Sequence, residues 1–199
     1  MRIPWMPRKD IEDRTYGLIK KYSQEIAPIK SPPIPVDNIV ERLMEYQLCY
    51  ENLDDDILGC LCIKDKKVVI NKQANDVRFT FTCAHEIGHW TLHQDYLAGN
   101  EKQIPLFDME PSIICRSNGK GREEWQADIF AASLLMPSMM FRKEHLQTLD
   151  KYGVQNESLD DFLSSQLVSD LAEIFDVSKQ SVKIRIEDLR LQNNQPKLF

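Results

Sequence analysis

The sequence predicts an α+β fold in which helices form most of the body and a small antiparallel sheet lies beside one central helix. Several segments carry apolar residues at the spacing of a helix that buries one face, and short runs of strand-forming residues flank a polar turn. Two helices joined by a three-residue turn end the chain. We expect helices over residues 10–24, 37–46, 77–93, 123–137, 137–152, 160–175 and 178–191, and strands over residues 48–53, 57–63 and 67–70.

Prolines separate the first two helices. In the first, Ile11, Ile19 and Tyr22 recur at helical spacing among charged residues. Four prolines between residues 28 and 35 then break the chain. The second helix, residues 37–46, again has an apolar face, so both helices are expected to pack on the core.

The next segment is a β-hairpin. Residues 57–63 and 67–70 are rich in strand-forming side chains and flank the turn Lys64-Asp65-Lys66. Cys60 and Cys62 could form a metal-binding pair. In a strand, however, both point to one face, and we interpret them as small core residues.

Composition narrows the class of protein. With 199 residues and 42% hydrophobic content, the chain can bury one sizeable core or a core with a small appendage. The net charge of −6 argues against general nucleic-acid binding. Five cysteines, an odd number, and a charged N-terminus indicate free thiols and a cytoplasmic location. The longest apolar run, near residues 57–63, is far too short to span a membrane.

The central helix carries the motif His85-Glu86-Ile87-Gly88-His89. Residues four apart share one face of a helix, so the Cα atoms of His85 and His89 lie roughly 6 Å apart and both rings can bind one Zn²⁺. Glu86 lies about 100° around the helix, beside such an ion, where a general base is needed. The same pattern can also arise by chance on a partly exposed polar face.

The context favours a metal site. Three of the four histidines lie within nine residues, and Phe79, Phe81 and Ile87 indicate that this segment is buried. Buried histidines need partners, and a metal ion is one. A glycine such as Gly88 is unfavourable inside a helix, so its presence needs a reason. Another backbone or a substrate could approach closely here, or the glycine could serve packing alone. His93 lies roughly 12 Å along the helix axis from His85, so we expect it behind the ligands, facing substrate or simply packed.

A third protein ligand is expected on the helix that ends at Pro137. Glu124 falls on the apolar stripe of this helix, and a buried carboxylate is costly unless it binds something. Asp128, one turn later, can accept the outer N–H of a ligating imidazole. Glu123 is the competing candidate, and the helix dipole alone could favour both glutamates at this end. The spacing between Glu124 and Asp128 makes Glu124 the preferred ligand.

Residues 94–120, between the two halves of this site, show little periodicity and contain several glycines and prolines. A loop of this length in a compact domain is often functional, so we expect it to form part of a substrate cleft. A short strand is expected within it at Ile113–Cys115. Either His93 or a residue of this loop could stabilise an oxyanion.

The last two helices resemble a helix-turn-helix unit with the turn Asp176-Val177-Ser178. Such a unit can bind DNA, dock on a protein or complete the core. From residue 166 to residue 199, five basic side chains are matched by five acidic ones, whereas a DNA-binding unit normally has a basic excess. We therefore expect structural support or protein docking, and not DNA binding.

Two motifs in this order closely resemble those of the ImmA/IrrE-type metallopeptidases. One is the run Phe79–His93 with its H-E-x-x-H motif, and the other is the run Glu124–Pro137, which reads EWQADIFAASLLMP. The segment Pro33–Asp37 and the hairpin before the metal helix are also similar, so the resemblance covers roughly residues 30–190. Asp128 departs from the pattern, since the family often has Asn there, but either side chain can hydrogen-bond a ligand.

The resemblance implies His85, His89 and Glu124 as the ligands of one zinc ion and Glu86 as the catalytic base. It also implies a cytoplasmic endopeptidase with a zincin-like domain. Its substrate would be a helix-turn-helix repressor, cleaved in a stress response or in the regulation of a mobile element.

We divide the chain into a metallopeptidase domain, residues 1–152, and a helix-turn-helix-like segment, residues 153–199, packed on it. Two rival interpretations stay open: a non-catalytic, zinc-stabilised regulator that binds a partner protein, and a DNA-binding regulator acting through residues 166–191. The presence of Glu86 argues against the first, because a scaffold needs no base. The balanced charge argues against the second.

Overall fold

The computed structural model describes residues 3–54, 57–73, 76–97, 104–107, 121–153 and 161–191. The α+β class is confirmed, since these ranges contain mostly helices and one four-stranded sheet. Within them, none of the helices combines the length and the apolar content needed to cross a membrane. The helices are α1 (Arg8–Glu25), α2 (Val36–Asn38, continued by a π-helical turn, Ile39–Leu43), α3 (Asp76–Leu97), α4 (Arg122–Leu135), α5 (Ser138–Lys151), α6 (Asp161–Phe175) and α7 (Lys179–Asp188). The strands are β1 (Gln47–Glu51), β2 (Ile57–Cys62), β3 (Lys67–Asn71) and β4 (Ile104–Phe107).

The sheet is mixed, which corrects the expectation that it is wholly antiparallel. Its strand order is β1-β3-β2-β4, and β2 and β3 form the expected antiparallel hairpin. The second strand of this hairpin, β3, lies between β2 and β1. It therefore runs parallel to β1, with Gln47 opposite Lys67 and Glu51 opposite Asn71.

The edge strand β4 pairs antiparallel with β2, and the sequence pattern does not predict it. It lies inside the segment expected to be a loop over residues 94–120. The strand expected at Ile113–Cys115 lies outside the described residues. So does the linker expected after Gly153.

Helix α3 contacts the sheet and α4, and a glycine is required at each contact. A Cβ atom on Gly59 of β2 would lie 2.6 Å from Cγ2 of Thr82. A Cβ atom on Gly88 would lie 3.2 Å from both Cα and O of Ala127 in α4. Gly88 is therefore needed because the backbone of α4 comes this close to α3.

One hydrophobic core joins the first and last parts of the described chain. It contains Ile11 of α1, Ile87 of α3, Phe130 of α4 and Phe175 of α6. Cys60 and Cys62 lie with Val69 in a separate small buried cluster, as expected for core residues on one strand face. The division of the chain at residue 152 stays a prediction.

Helices α6 and α7 meet in the expected turn, where Ser178 caps α7 by accepting a hydrogen bond from the backbone N–H of Ser181. Arg185 of α7 is completely buried apart from 1% of its surface. Its Nε donates to the carbonyl of Met136 at 3.0 Å, and its Nη1 lies 2.9 Å from Oε1 of Glu12. These contacts fasten α7 to both α1 and the end of α4.

Candidate metal centre

The two histidines of the motif lie one turn apart on α3, and their Nε2 atoms are 3.0 Å apart. Glu124, in the first turn of α4, places Oε2 3.2 Å from Nε2 of His85 and Oε1 3.3 Å from Nε2 of His89. Ligands bound at about 2.0–2.1 Å in a tetrahedron lie roughly 3.3 Å from one another, close to these separations. The three side chains therefore form a group that can hold one metal ion.

The close packing of α3 and α4 makes this convergence possible. Gly88 lets the backbone of α4 approach at Ala127, and Glu124 lies one turn earlier on the same face. Glu123, the competing candidate, instead has its carboxylate against Gly121 at the start of α4. The structure thus brings Glu124, and not Glu123, to the two histidines.

Asp128 contacts His85 from behind, as its spacing from Glu124 predicts. Its Oδ1 lies 2.9 Å from Nδ1 of His85, and both side chains are buried. An ionised carboxylate only accepts hydrogen bonds, so Nδ1 of His85 donates. In a neutral ring, Nε2 of His85 then carries a lone pair directed at Glu124 and His89.

His93 lies behind His89 and is completely buried. Its Nδ1 is 3.1 Å from Nδ1 of His89, and its Nε2 is 2.9 Å from Oε1 of Gln126. Nε2 of Gln126 in turn donates to the carbonyl of Pro4 at 2.8 Å. Both ring nitrogens of His93 are therefore engaged on the side of His89 opposite to Glu124.

The carbonyl of Pro4 sets the direction of these hydrogen bonds. A carbonyl only accepts, so the NH₂ group of Gln126 faces Pro4 and its Oε1 faces His93. Nε2 of a neutral His93 then donates to Gln126, and its Nδ1 accepts from His89. Burial lowers the pKa of His93 to about 4, which keeps this ring neutral. As a result, Nε2 of His89 also carries a lone pair.

With neutral rings, the site contains three acceptors within 3.0–3.3 Å of one another, an arrangement that calls for a cation. The pKa values show the same preference for positive charge, which a proton on His85 can also supply. Burial lowers the pKa of His85, but its hydrogen bonds to Asp128 and Glu124 outweigh burial and raise the pKa to about 10. Burial raises the pKa of Glu124, yet its close contacts with His85 and His89 hold it below its usual range. Burial lowers the pKa of His89. The carboxylates therefore favour positive charge at this point.

Glu86 follows His85 on α3 and is completely buried. Neither of its carboxylate oxygens has a hydrogen-bond partner among the described residues. Burial raises the pKa of Glu86 to about 8. An unpaired buried carboxyl is costly to the fold, and groups perturbed in this way concentrate at functional sites.

Gln126 and the carbonyl of Pro4 are the parts of this site that the sequence pattern did not reveal. The available signal for Gln126 was a polar residue two positions after Glu124 in a largely apolar, buried helix. Pro4 contributes only a backbone atom, which no side-chain pattern can indicate.

The site combines three features: a His-x-x-x-His pair on one helix, a carboxylate from a second helix and a buried glutamate beside them. Together they are typical of a metallopeptidase-type site. The chain belongs to the Peptidase_M78 family, described as the IrrE N-terminal-like domain, which matches residues 44–187. The resemblance to ImmA/IrrE-type proteins is thereby confirmed.

Two known proteins extend this comparison. "Uncharacterized immunity region protein 2" of Bacillus phage phi105 is 31% identical over 109 residues, which cover 53% of this chain and 62% of that protein. A solved structure of a Mycobacterium tuberculosis transcriptional regulator has a TM-score of 0.53 and 13% identity, covering 96% of this chain and 53% of that one. At this identity the second similarity concerns the fold alone. The chain spans less than two thirds of the length of either protein.

Proposed function

We propose that this protein is a zinc-dependent endopeptidase that hydrolyses a peptide bond in a specific cytoplasmic protein. The observation that carries this proposal is the convergence of Nε2 of His85, Nε2 of His89 and the Glu124 carboxylate beside the buried, unpaired carboxyl of Glu86. Two imidazoles and a carboxylate are the protein ligands of several catalytic zinc sites, and they leave a fourth position open.

Zinc, when bound, would lower the pKa of water to about 7 and polarise the scissile carbonyl. Glu86 accepts the proton of the attacking water and passes it to the leaving amine. Its burial suits this role, because a carboxylate shielded from solvent is a stronger base than an exposed one. Asp128 holds the ring of His85 in the tautomer that a ligand needs.

For the substrate we propose a helix-turn-helix transcriptional repressor. The relative in Bacillus phage phi105 is described as an immunity region protein. This description agrees with a role in stress response or mobile-element regulation, which the resemblance to ImmA/IrrE-type proteins implies. Such a substrate would require the enzyme to act in the cytoplasm, where Cys49, Cys60, Cys62 and Cys83 would stay reduced.

The C-terminal helices α6 and α7 are proposed to support the body or to dock a protein, and not to bind DNA. A DNA recognition helix must present one face to the major groove. The exposed positions Lys179, Lys183 and Glu187 of α7 carry charges of both signs. Its remaining positions are largely buried: Ser181, Val182, Ile184, Arg185 and Ile186.

The test is incubation of the purified, zinc-loaded protein with a repressor encoded by a neighbouring gene, followed by mass spectrometry. We expect one specific cut, which is abolished by a chelator and by Glu86→Gln. The Glu86→Gln variant should still bind one zinc ion, and Glu25→Gln, at an exposed position on α1, should cleave normally. Normal cleavage by Glu86→Gln would refute the role of the base. Zinc binding without any cleavage by the wild type would favour a non-catalytic regulator.

A further inference from the structure

A continuous path of hydrogen bonds leads from the proposed ligand His89 to the N-terminal segment, residues 3–5. It passes through His93 and Gln126 and ends at the carbonyl of Pro4, with distances of 3.1, 2.9 and 2.8 Å. His93 and Gln126 are both completely buried. Solvent therefore cannot replace either of these two side chains, whereas Pro4, at the end of the path, is an exposed residue that contributes a backbone carbonyl.

The N-terminal segment is attached to the start of α4, next to the third ligand. Nη1 of Arg122 donates to the carbonyl of Ile3 at 3.0 Å. The ring of Trp5 stacks on that of Trp125, with centroids 4.7 Å apart. The first turn of α4 thus carries both Glu124 and the attachment points of the N-terminal segment.

We propose that His93 and Gln126 are positioning residues for His89, and that the N-terminal segment belongs to the metal centre because it holds the amide of Gln126 in one orientation. This inference rests on the proposed function, in which His89 is a metal ligand. It gives His93 and Gln126, which take no part in the hydrolytic reaction itself, the role of positioning His89.

The physical reason is that an amide group has nearly the same shape in two orientations. In the observed orientation, Oε1 of Gln126 accepts from His93, and Nε2 of His89 keeps its lone pair. In the reverse orientation, an N–H group would face His93, and the directions of the hydrogen bonds would reverse. Nε2 of His89 would then carry a hydrogen and could not bind a cation. The carbonyl of Pro4 excludes that orientation, because it would face Oε1 of Gln126.

The other ligand on α3 needs no such device. His85 is held by the carboxylate of Asp128, which accepts hydrogen bonds with either oxygen and cannot reverse. The two ligands are therefore positioned by different means. It follows that a carboxylate in place of the Gln126 amide should make His89 independent of Pro4.

Zinc affinity, measured by competition with a chromophoric chelator, tests this inference. Gln126→Met keeps the side-chain length but removes both hydrogen bonds. We expect it to weaken zinc binding by about 10–100-fold, the usual loss for a partner of a ligating histidine. Gln126→Glu places an oxygen opposite the Pro4 carbonyl, so it should loosen the N-terminal segment. It still offers His93 only oxygen acceptors and should bind zinc nearly as tightly as the wild type. Thermal unfolding of the zinc-free proteins checks that each variant is folded.

The matched control is Ser133→Ala, another buried polar position on α4, whose hydroxyl has no partner in the described part of the chain. This variant should keep the wild-type affinity. His93→Phe should show the same loss as Gln126→Met, so that a folding defect in either variant leaves the other decisive.

The inference is overturned if Gln126→Met and His93→Phe bind zinc as tightly as the wild type. It is also overturned if Gln126→Glu is as weak as Gln126→Met, since packing alone would then explain the effect. A wild-type protein that binds no zinc, or binds it equally well after His89→Ala, would refute the proposed function itself. The two failures are therefore distinguishable.

Discussion

The immediate surroundings of each side chain at the candidate metal centre determine its chemical state. Asp128 makes Nδ1 of His85 a donor, and Gln126 does the same for His89 through His93. Burial without a hydrogen-bond partner raises the pKa of Glu86 to about 8. At the scale of single residues, what matters is whether a neighbour donates or accepts the hydrogen bond.

The adjacent residues Glu123 and Glu124 provide a residue-scale prediction. Glu124→Gln removes the negative charge that faces both histidines. It should weaken zinc binding by more than about 10–100-fold, which is the loss typical for a residue that only hydrogen-bonds to a ligand. Glu123→Gln should bind zinc like the wild type, because its carboxylate lies against Gly121. Chelator competition and metal analysis measure both variants, and an equal loss in the two would contradict the assignment of Glu124.

At the scale of elements, the site depends on the separation of α3 and α4. Each helix contributes ligands on its own, but the ligand atoms meet only because Gly88 allows the α4 backbone to come close at Ala127. The N-terminal segment then adds Pro4 and Trp5 to the same end of α4. The candidate metal centre therefore depends on the contact between α3 and α4 and not on either helix alone.

Gly88→Ala tests this contact. Alanine favours a helix by about 1 kcal/mol over glycine. However, the new Cβ would lie 3.2 Å from backbone atoms of Ala127, which cannot rotate away. We expect a net loss of about 1–3 kcal/mol in the free energy of unfolding, together with weaker zinc binding. Urea unfolding and chelator competition measure the two effects.

Gly17→Ala is the matched control, because a Cβ atom at this position of α1 would meet nothing within 4 Å. It should raise the free energy of unfolding by about 1 kcal/mol and leave zinc affinity unchanged. Stabilisation by Gly88→Ala of the same size, with unchanged zinc affinity, would show that the spacing of α3 and α4 is not critical.

Trp5→Ala tests the contribution of the N-terminal segment. Loss of the stack on Trp125 should loosen the segment and allow the amide of Gln126 to reverse, so zinc affinity should fall. In the Gln126→Glu background the same substitution should have no effect on affinity, because a carboxylate cannot reverse. The double-mutant cycle isolates this coupling. Identical effects of Trp5→Ala in both backgrounds would argue against it.

At the scale of the whole molecule, buried polar contacts connect parts of the chain that are far apart in sequence. Arg185 of α7 bonds to the carbonyl of Met136 and to Glu12 of α1, across the same core that supports α3 and α4. The C-terminal helices are thus attached to the elements behind the site. This attachment keeps one side of α7 buried, with Ser181, Val182, Ile184, Arg185 and Ile186.

Arg185→Met is expected to lower the free energy of unfolding by about 1–3 kcal/mol, because it takes a donor from the carbonyl of Met136 and removes the ion pair with the partly exposed Glu12. Lys183→Met, on the exposed side of α7, should change it by less than about 0.5 kcal/mol. Denaturant unfolding of both variants gives the comparison. Equal stability of the two variants would mean that the Arg185 contacts do not hold the C-terminal helices in place.

The sequence by itself determined the features that depend on a single element. The pitch of a helix places His85, Glu86 and His89 at one site and puts Glu124 and Asp128 one turn apart. Two strand-forming runs around the turn Lys64-Asp65-Lys66 predict the hairpin of β2 and β3, and the alternation of side chains along a strand puts Cys60 and Cys62 on one face. These relations follow from local geometry, which holds whatever surrounds the element.

Only the tertiary structure decided the features that depend on contacts between distant elements. It paired β1 in parallel with β3 and showed that Gly88 is needed for the approach of α4. It also joined His93 and Gln126 to the carbonyl of Pro4. The physical reason is that packing and the direction of buried hydrogen bonds depend on which groups meet, and no periodicity within one element contains that information.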